Sequence, residues 1–147
     1  EKMNIESRFE DGLRVTDGET VSVVQMVLAG KVNKDLVCQI GNLGGHAIGL
    51  SGMDGGMLKC KPLDDTHGFV GEITDINMDA VIETLENNWI PVISTIGFDE
   101  SGNCYNINAD TAAAEIAETR TTLKALFTRY IFPTLRRLLL RELSAGV

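Results

Sequence analysis

The stretch from Tyr105 to Ala114 carries the residues whose types and spacing best suit chemistry. It places Asn106, Asn108 and Asp110 at alternate positions, followed by an alanine-rich, helix-prone segment. In an extended strand these three side chains project to the same side and can converge on one small polar ligand. Ligands of open α/β sheets lie beyond the carboxyl ends of the strands, so this junction is a candidate binding site. The alternative is local, because Asn and Asp are also common turn residues and helix N-caps.

The elements that must position this stretch alternate between helices and strands. Thr16 and Glu19 have capping-box spacing, which predicts Thr16 as the N-cap of an apolar helix over residues 17–30. Further helices are predicted over 33–41 (with Leu36, Val37 and Ile40 buried), over 78–87 (capped by Asn77, with Val81, Ile82 and Leu85 facing inward) and from 111 onward. Strands are predicted at 47–50, 57–61, 69–73, 89–93 and 104–108, the first two joined as a hairpin and the last preceded by a turn at 99–102. This alternation indicates an α/β fold with a central sheet, flanking helices and β-hairpins.

Composition and charge exclude several classes of partner. The net charge of −8 argues against nucleic-acid binding, which needs a basic surface. No apolar run approaches the roughly 20 residues of a membrane-spanning helix, so a membrane partner is not expected. The first residues show no signal-peptide pattern. Cys38, Cys60 and Cys104 are widely scattered without metal-ligand spacing, so we expect reduced thiols, no metal site and a cytoplasmic protein.

Isolated polar and aromatic residues are expected to have structural roles. His46 and His67 have no acidic or cysteine partner at metal-ligand spacing, so we expect them on the surface or in loops. Asp64 and Asp65 are expected in a solvated loop. Phe69 and Trp89 are expected in the core, because no basic residues accompany them as a stacking surface.

Five short motifs resemble the N-acetylglutamate kinases of the amino acid kinase family, in that family's order and spacing. They are Gly12-Leu13-Arg14-Val15-Thr16-Asp17, Gly30-Lys31-Val32-Asn33-Lys34, Gly49-Leu50-Ser51-Gly52-Met53-Asp54-Gly55, Gly68-Phe69-Val70-Gly71-Glu72 and Asn106-Ile107-Asn108-Ala109-Asp110. The resemblance runs over residues 2–117. It implies that ATP, with Mg²⁺, phosphorylates the side-chain carboxylate of N-acetyl-L-glutamate, a step of arginine biosynthesis.

The resemblance also implies roles for four residues. Arg14 would hold a substrate carboxylate with its bidentate fork, and Leu13 would line the pocket beside it. Asn106 would donate to the substrate's carboxylate or acetamido group. Asp110 would be the catalytic residue that orients lysines around the transferring phosphoryl group. Members of the family pair through the helix that corresponds to residues 17–30, so a homodimer is expected.

The resemblance ends near residue 117 and thereby divides the chain. Residues 1–117 would form a partial amino acid kinase domain that binds N-acetylglutamate, and residues 118–147 a divergent, basic amphipathic helical tail. The tail would cover a sheet face or dimer surface, or alternatively lie on an anionic membrane. No run of three glycines matches the family's His-Gly-Gly-Gly loop, so we expect an incomplete piece of the enzyme. The alternative function is a non-catalytic module that dimerises and binds ligand.

Overall fold

The computed structural model describes residues 8–10 and 13–119. Its strands are β1 (Arg8–Glu10), β2 (Leu13–Val15), β3 (Ala47–Ser51), β4 (Leu58–Pro62), β5 (Gly71–Ile76), β6 (Ile90–Ser94), β7 (Ile96–Phe98) and β8 (Cys104–Asn106). Its helices are α1 (Gly18–Gln25), α2 (Asn33–Asn42), α3 (Asp79–Glu86) and α4 (Ala109–Glu118), with a π-helical segment (Met26–Val32) and a 3₁₀ turn (Asp54–Gly56). The predicted α/β class is confirmed, and the predicted tail lies almost wholly outside the described residues.

Two sheets and one hairpin organise the described strands. Strands β1 and β2 pair antiparallel, and β3 pairs parallel with β6. The second sheet has the order β5-β4-β7-β8, in which β4 runs antiparallel to β5 and parallel to β7, and β7 runs antiparallel to β8. The predicted hairpin between 47–50 and 57–61 is therefore wrong. Asp54 accepts the N–H of Ser51 at 2.6 Å, and the 3₁₀ turn that begins at Asp54 sends β4 into the other sheet.

Helix α1 begins one residue later than its capping box predicts. Its N-cap is Asp17, whose Oδ1 accepts the Thr20 N–H at 2.7 Å, and this hydrogen bond holds the pKa of the Asp17 carboxyl below its usual value. Thr16 is fully buried, and its backbone pairs with the segment around Gly68 in a strand-like bridge. The predicted Thr16 cap is wrong because this pairing holds Thr16 in an extended conformation, one residue before the actual N-cap.

The first two predicted helices form one continuous helical run from Gly18 to Asn42, joined by the π-helical segment. Leu36 was predicted to be buried, but it is 44% exposed. The buried residue of α2 is Asn33, at 2% exposure. Asn33 fills the contact between α2 and the β3–β6 pair through its two hydrogen bonds. Leu36 therefore lies at the rim of a groove of about 150 Å³ beside β6.

The core gathers side chains from the four-stranded sheet, from the segment after the 3₁₀ turn, and from α3 and α4. Its buried members are Met57, Leu58, Cys60, Ile73, Met78, Val81, Tyr105, Ile107 and Ala112. Phe69 packs against this cluster, as do Ile82 and Leu85 on the predicted inner face of α3. Asn77 accepts the N–H of Asp79, the first residue of α3, at 3.0 Å. Trp89 was predicted in the core but is 45% exposed, because it lies at the turn before the first paired residue of β6.

No helix within residues 13–119 combines the length and apolar character needed to cross a membrane.

Candidate functional site

The Asn/Asp run lies where β8 ends and α4 begins. Strand β8 ends at Asn106, and α4 begins at Ala109, two residues earlier than predicted. The Oδ1 of Asn108 accepts the N–H groups of Asp110 at 2.9 Å and Thr111 at 3.1 Å. Asn108 is therefore the N-cap of α4, so the local interpretation is correct for this residue. The run is extended up to Asn106 and helical at Asp110, and it is not the single strand face that the alternation predicts.

Asp110 lies in the first turn of α4 with an exposed side chain. The partial positive charge of a helix N-terminus favours a carboxylate at this position. Within the described part of the chain, no ion pair or side-chain hydrogen bond engages its carboxylate. The carboxylate is therefore available to cationic groups.

Asn106 is half-buried, and its backbone is held firmly. Its N–H donates to the carbonyl of Phe69 at 2.8 Å, and it forms a parallel bridge with Val70. Its side-chain amide makes no hydrogen bond to the residues that the structure describes. A fixed backbone carrying an amide without a protein partner suits a residue that recognises a polar ligand.

Leu13 and Arg14 lie on β2, opposite Glu10 and Phe9 of β1. Their side chains lie outside the described part of the structure. The position of β2 follows from the backbone, because the chain continues from this strand directly into Thr16. The N–H of Thr16 donates to the carbonyl of His67 at 3.0 Å, and its carbonyl accepts the N–H of Phe69 at 2.7 Å.

One segment, His67–Val70, thus joins the two parts of the candidate site. Its backbone pairs on one side with Thr16, two residues after Arg14, and on the other with Asn106. We call this segment the bridging segment. It brings together elements that are about 90 residues apart in sequence, as expected if both contribute to one site.

A carboxylate-centred turn fixes β8 from the other end. Asp99 accepts the N–H groups of Ser101 and Asn103, each at 2.9 Å, and the hydroxyl of Tyr105 at 2.9 Å. The side chain of Asn103 also donates to Asp99, and this hydrogen bond is the main reason that the pKa of Asp99 is lowered. Burial, and then the bond to Asp99, raises the pKa of Tyr105. The turn predicted at 99–102 is confirmed, and it anchors the strand that carries Asn106.

The other titratable residues divide between buried and exposed positions. His46 is exposed, as predicted. His67 lies in the loop between β4 and β5, which agrees with its prediction as a loop or surface residue, but it is buried at 6% exposure. The imidazole of His67 contacts Asp64, and the sequence offered no signal for its burial beyond that acidic neighbour. All three cysteines are free. Burial raises the pKa of the Cys60 thiol to about 11, so it stays protonated at neutral pH.

Comparison with known proteins defines the class of the chain. Residues 1–125 match the model of the amino acid kinase family, and the chain belongs to that family. It is 52% identical over 120 residues to an acetylglutamate kinase of Brachyspira hyodysenteriae, covering 80% of this chain and 42% of that protein. It is 54% identical over 118 residues to an acetylglutamate kinase of Clostridium kluyveri, covering 79% of this chain and 42% of the relative. The chain therefore spans about two fifths of the length of these curated relatives.

Solved structures give the same fold. The smu.665 protein of Streptococcus mutans UA159 superimposes with a TM-score of 0.74 at 32% identity, covering 79% of this chain and 48% of that one. An N-acetylglutamate synthase of Neisseria gonorrhoeae superimposes with a TM-score of 0.65 at 22% identity, covering 79% of this chain and 27% of that one. The second likeness concerns the fold alone.

Proposed function

We propose that this chain is the N-acetylglutamate-binding part of an acetylglutamate kinase, which uses ATP to phosphorylate the side-chain carboxylate of N-acetyl-L-glutamate. The identity to acetylglutamate kinases supports the activity. The observation that carries the proposal for this chain is the bridging segment, which holds the strand of Arg14 and the Asn106–Asp110 junction on its two sides.

Each proposed site residue has a distinct task. Arg14 neutralises and orients a substrate carboxylate, and Leu13 lines the pocket beside it. Asn106 donates its side-chain amide to the substrate's carboxylate or acetamido group. Asp110 orients cationic groups around the transferring phosphoryl group. It does not act as a base, because the attacking carboxylate is already deprotonated at neutral pH.

ATP, with Mg²⁺, supplies the phosphoryl group when it is bound. Phosphoryl transfer depends on alignment of the attacking oxygen and on neutralisation of charge on the γ-oxygens. The described residues contribute to both requirements, since Asn106 is held at a fixed backbone position and the Asp110 carboxylate is exposed at the start of α4.

The assembly and compartment proposed from the sequence are a homodimer in the cytoplasm. The helical run from Gly18 to Asn42 supports a dimer, because it exposes large apolar side chains such as Met26 (58%) and Val27 on its surface. Such side chains favour contact with a second copy. The division of the chain at residue 117 and the basic tail over 118–147 remain part of the proposal.

Replacing Arg14 with alanine tests the substrate site. We expect Arg14→Ala to weaken N-acetyl-L-glutamate binding roughly 10- to 150-fold, the loss that follows from removing a hydrogen bond between charged groups. Isothermal titration calorimetry on the 147-residue chain measures the dissociation constant. Lys31→Ala is the matched control, because it removes a cation that is exposed and paired with Asp35 on α2. Equal affinities for Arg14→Ala and Lys31→Ala would contradict the proposed site.

A coupled ADP-release assay on the same chain separates the kinase from the non-catalytic alternative. Turnover that requires both ATP and N-acetyl-L-glutamate, and that Asp110→Asn abolishes, supports a kinase role for this polypeptide. Ligand binding without turnover would limit this polypeptide to the ligand-binding part of the site.

A further inference from the structure

We infer that the His67–Asp64 pair is a positioning device, which holds the bridging segment in the conformation that the proposed substrate site requires. The inference rests on the proposed function and deepens it, because it assigns a task to two residues outside the motif positions that touch substrate. His67 would act through Thr16 and Asn106, so it is a positioning residue and not a catalytic one.

The pair closes a compact turn before the bridging segment. Asp64 Oδ1 accepts the backbone N–H groups of Thr66 and His67, each at 2.8 Å. Both carboxylate oxygens also contact the Nδ1 of His67, at 2.9 and 2.8 Å. The carboxylate therefore fixes the backbone and the side chain of His67 at the same time.

Because the His67 side chain is buried, its contact with Asp64 helps to determine where the residue lies. The imidazole is buried, whereas the Asp64 carboxylate is partly exposed. A buried ring nitrogen needs a hydrogen-bond partner, and loss of that partner costs more than the bond itself contributes. The hydrogen bonds from His67 and Thr66 lower the pKa of Asp64, so the acceptor stays ionised at neutral pH.

The bridging segment transmits that position to the site. The carbonyl of His67 itself accepts the N–H of Thr16, and the next pairing partner, Phe69, bonds both Thr16 and Asn106. Gly68 adopts a φ of +64°, and a Cβ there would lie 2.5 Å from the Thr16 carbonyl oxygen. The segment and Thr16 therefore fit closely. A displacement of His67 would disturb its hydrogen bond with Thr16 directly, and the pairing with Asn106 through Phe69.

The test compares His67→Ala with His67→Asn, in which the amide can replace the Nδ1 donor. We expect His67→Ala to raise the dissociation constant for N-acetyl-L-glutamate about tenfold, as expected for loss of a hydrogen bond to a charged group. We expect His67→Asn to restore affinity to within roughly threefold of the original. His46→Ala is the control, because it removes an exposed imidazole.

Hydrogen–deuterium exchange of the same variants gives a readout that needs no ligand. His67→Ala should accelerate exchange selectively at the Thr16, Phe69 and Asn106 amides, while that of Ile82 on α3 stays unchanged. Should His67→Ala fail to fold, Asp64→Asn replaces it, because Asp64 is at the surface and loses its charge with little change in shape. Acceleration confined to the three amides supports the inference even if the original chain binds no N-acetyl-L-glutamate, an outcome that would count against the proposed function alone. Unchanged exchange at these amides, or uniform acceleration that includes Ile82, would overturn it.

Discussion

Asn33→Asp should lower the free energy of unfolding by about 3 kcal/mol, because it leaves two buried carbonyl groups without their hydrogen-bond donor. The Asn33 side chain is buried, and its Nδ2 donates to the carbonyls of Leu50 at 3.0 Å and Val92 at 2.7 Å. Aspartate would place a negative oxygen against two carbonyl oxygens. Lys34 donates to the Oδ1 of Asn33 at 3.0 Å and would pair with the new carboxylate, but it does not replace the donor that the two carbonyls lose.

Urea denaturation monitored by circular dichroism measures this loss. Asn42→Asp on the exposed end of α2 is the matched control, and we expect it to cost less than about 1 kcal/mol, the usual scale for an unfavourable charge near a helix terminus. If the two variants unfold at the same urea concentration, Asn33 does not clamp α2 to β3 and β6.

Gly52→Ala should also destabilise the chain strongly, by up to about 3 kcal/mol, because overpacking a filled core has costs on that scale. A Cβ at Gly52 would lie 2.5 Å from the carbonyl oxygen of Ile96 and 2.6 Å from the Cδ1 of Leu58. The backbone cannot easily retreat, since Gly52 donates to Ser94 at 3.1 Å and accepts from Leu58 at 2.6 Å.

Gly30→Ala provides a control with the opposite expected sign. Gly30 lies in the helical run, and an added Cβ would meet no heavy atom within 4 Å. Alanine there should stabilise by roughly 0.5–1 kcal/mol, because it restricts the unfolded chain and favours helix. Thermal and urea unfolding of both variants give the comparison. Similar shifts of both midpoints in one direction would contradict the close packing around Gly52.

The sequence predicted most elements because their signals are local. The inner face of α3 and the turn around Asp99 follow from apolar periodicity and turn chemistry, and both are confirmed. The pairing of β3 could not be predicted in this way. A strong turn signal at Asp54 favoured a hairpin, whereas parallel pairing with β6 depends on residues some 40 positions away.

The burial of two polar residues was also not predicted from the sequence. Asn33 and His67 resemble surface residues in sequence, and both are buried because their partners come from distant or turn-forming segments. The junction at Asn106–Asp110 was recognisable from residue type and spacing. What the structure adds is its division into an N-cap at Asn108 and two side chains with no protein partner among the described residues, Asn106 and Asp110.

The most direct measurement of the proposed site is a titration of ¹⁵N-labelled chain with N-acetyl-L-glutamate, followed by nuclear magnetic resonance. We predict that the largest amide shifts fall on Val15, Thr16 and the Asn106–Asp110 junction. Shifts centred elsewhere that leave this junction unchanged, or no shifts from folded protein at millimolar ligand, would contradict a substrate site at this junction.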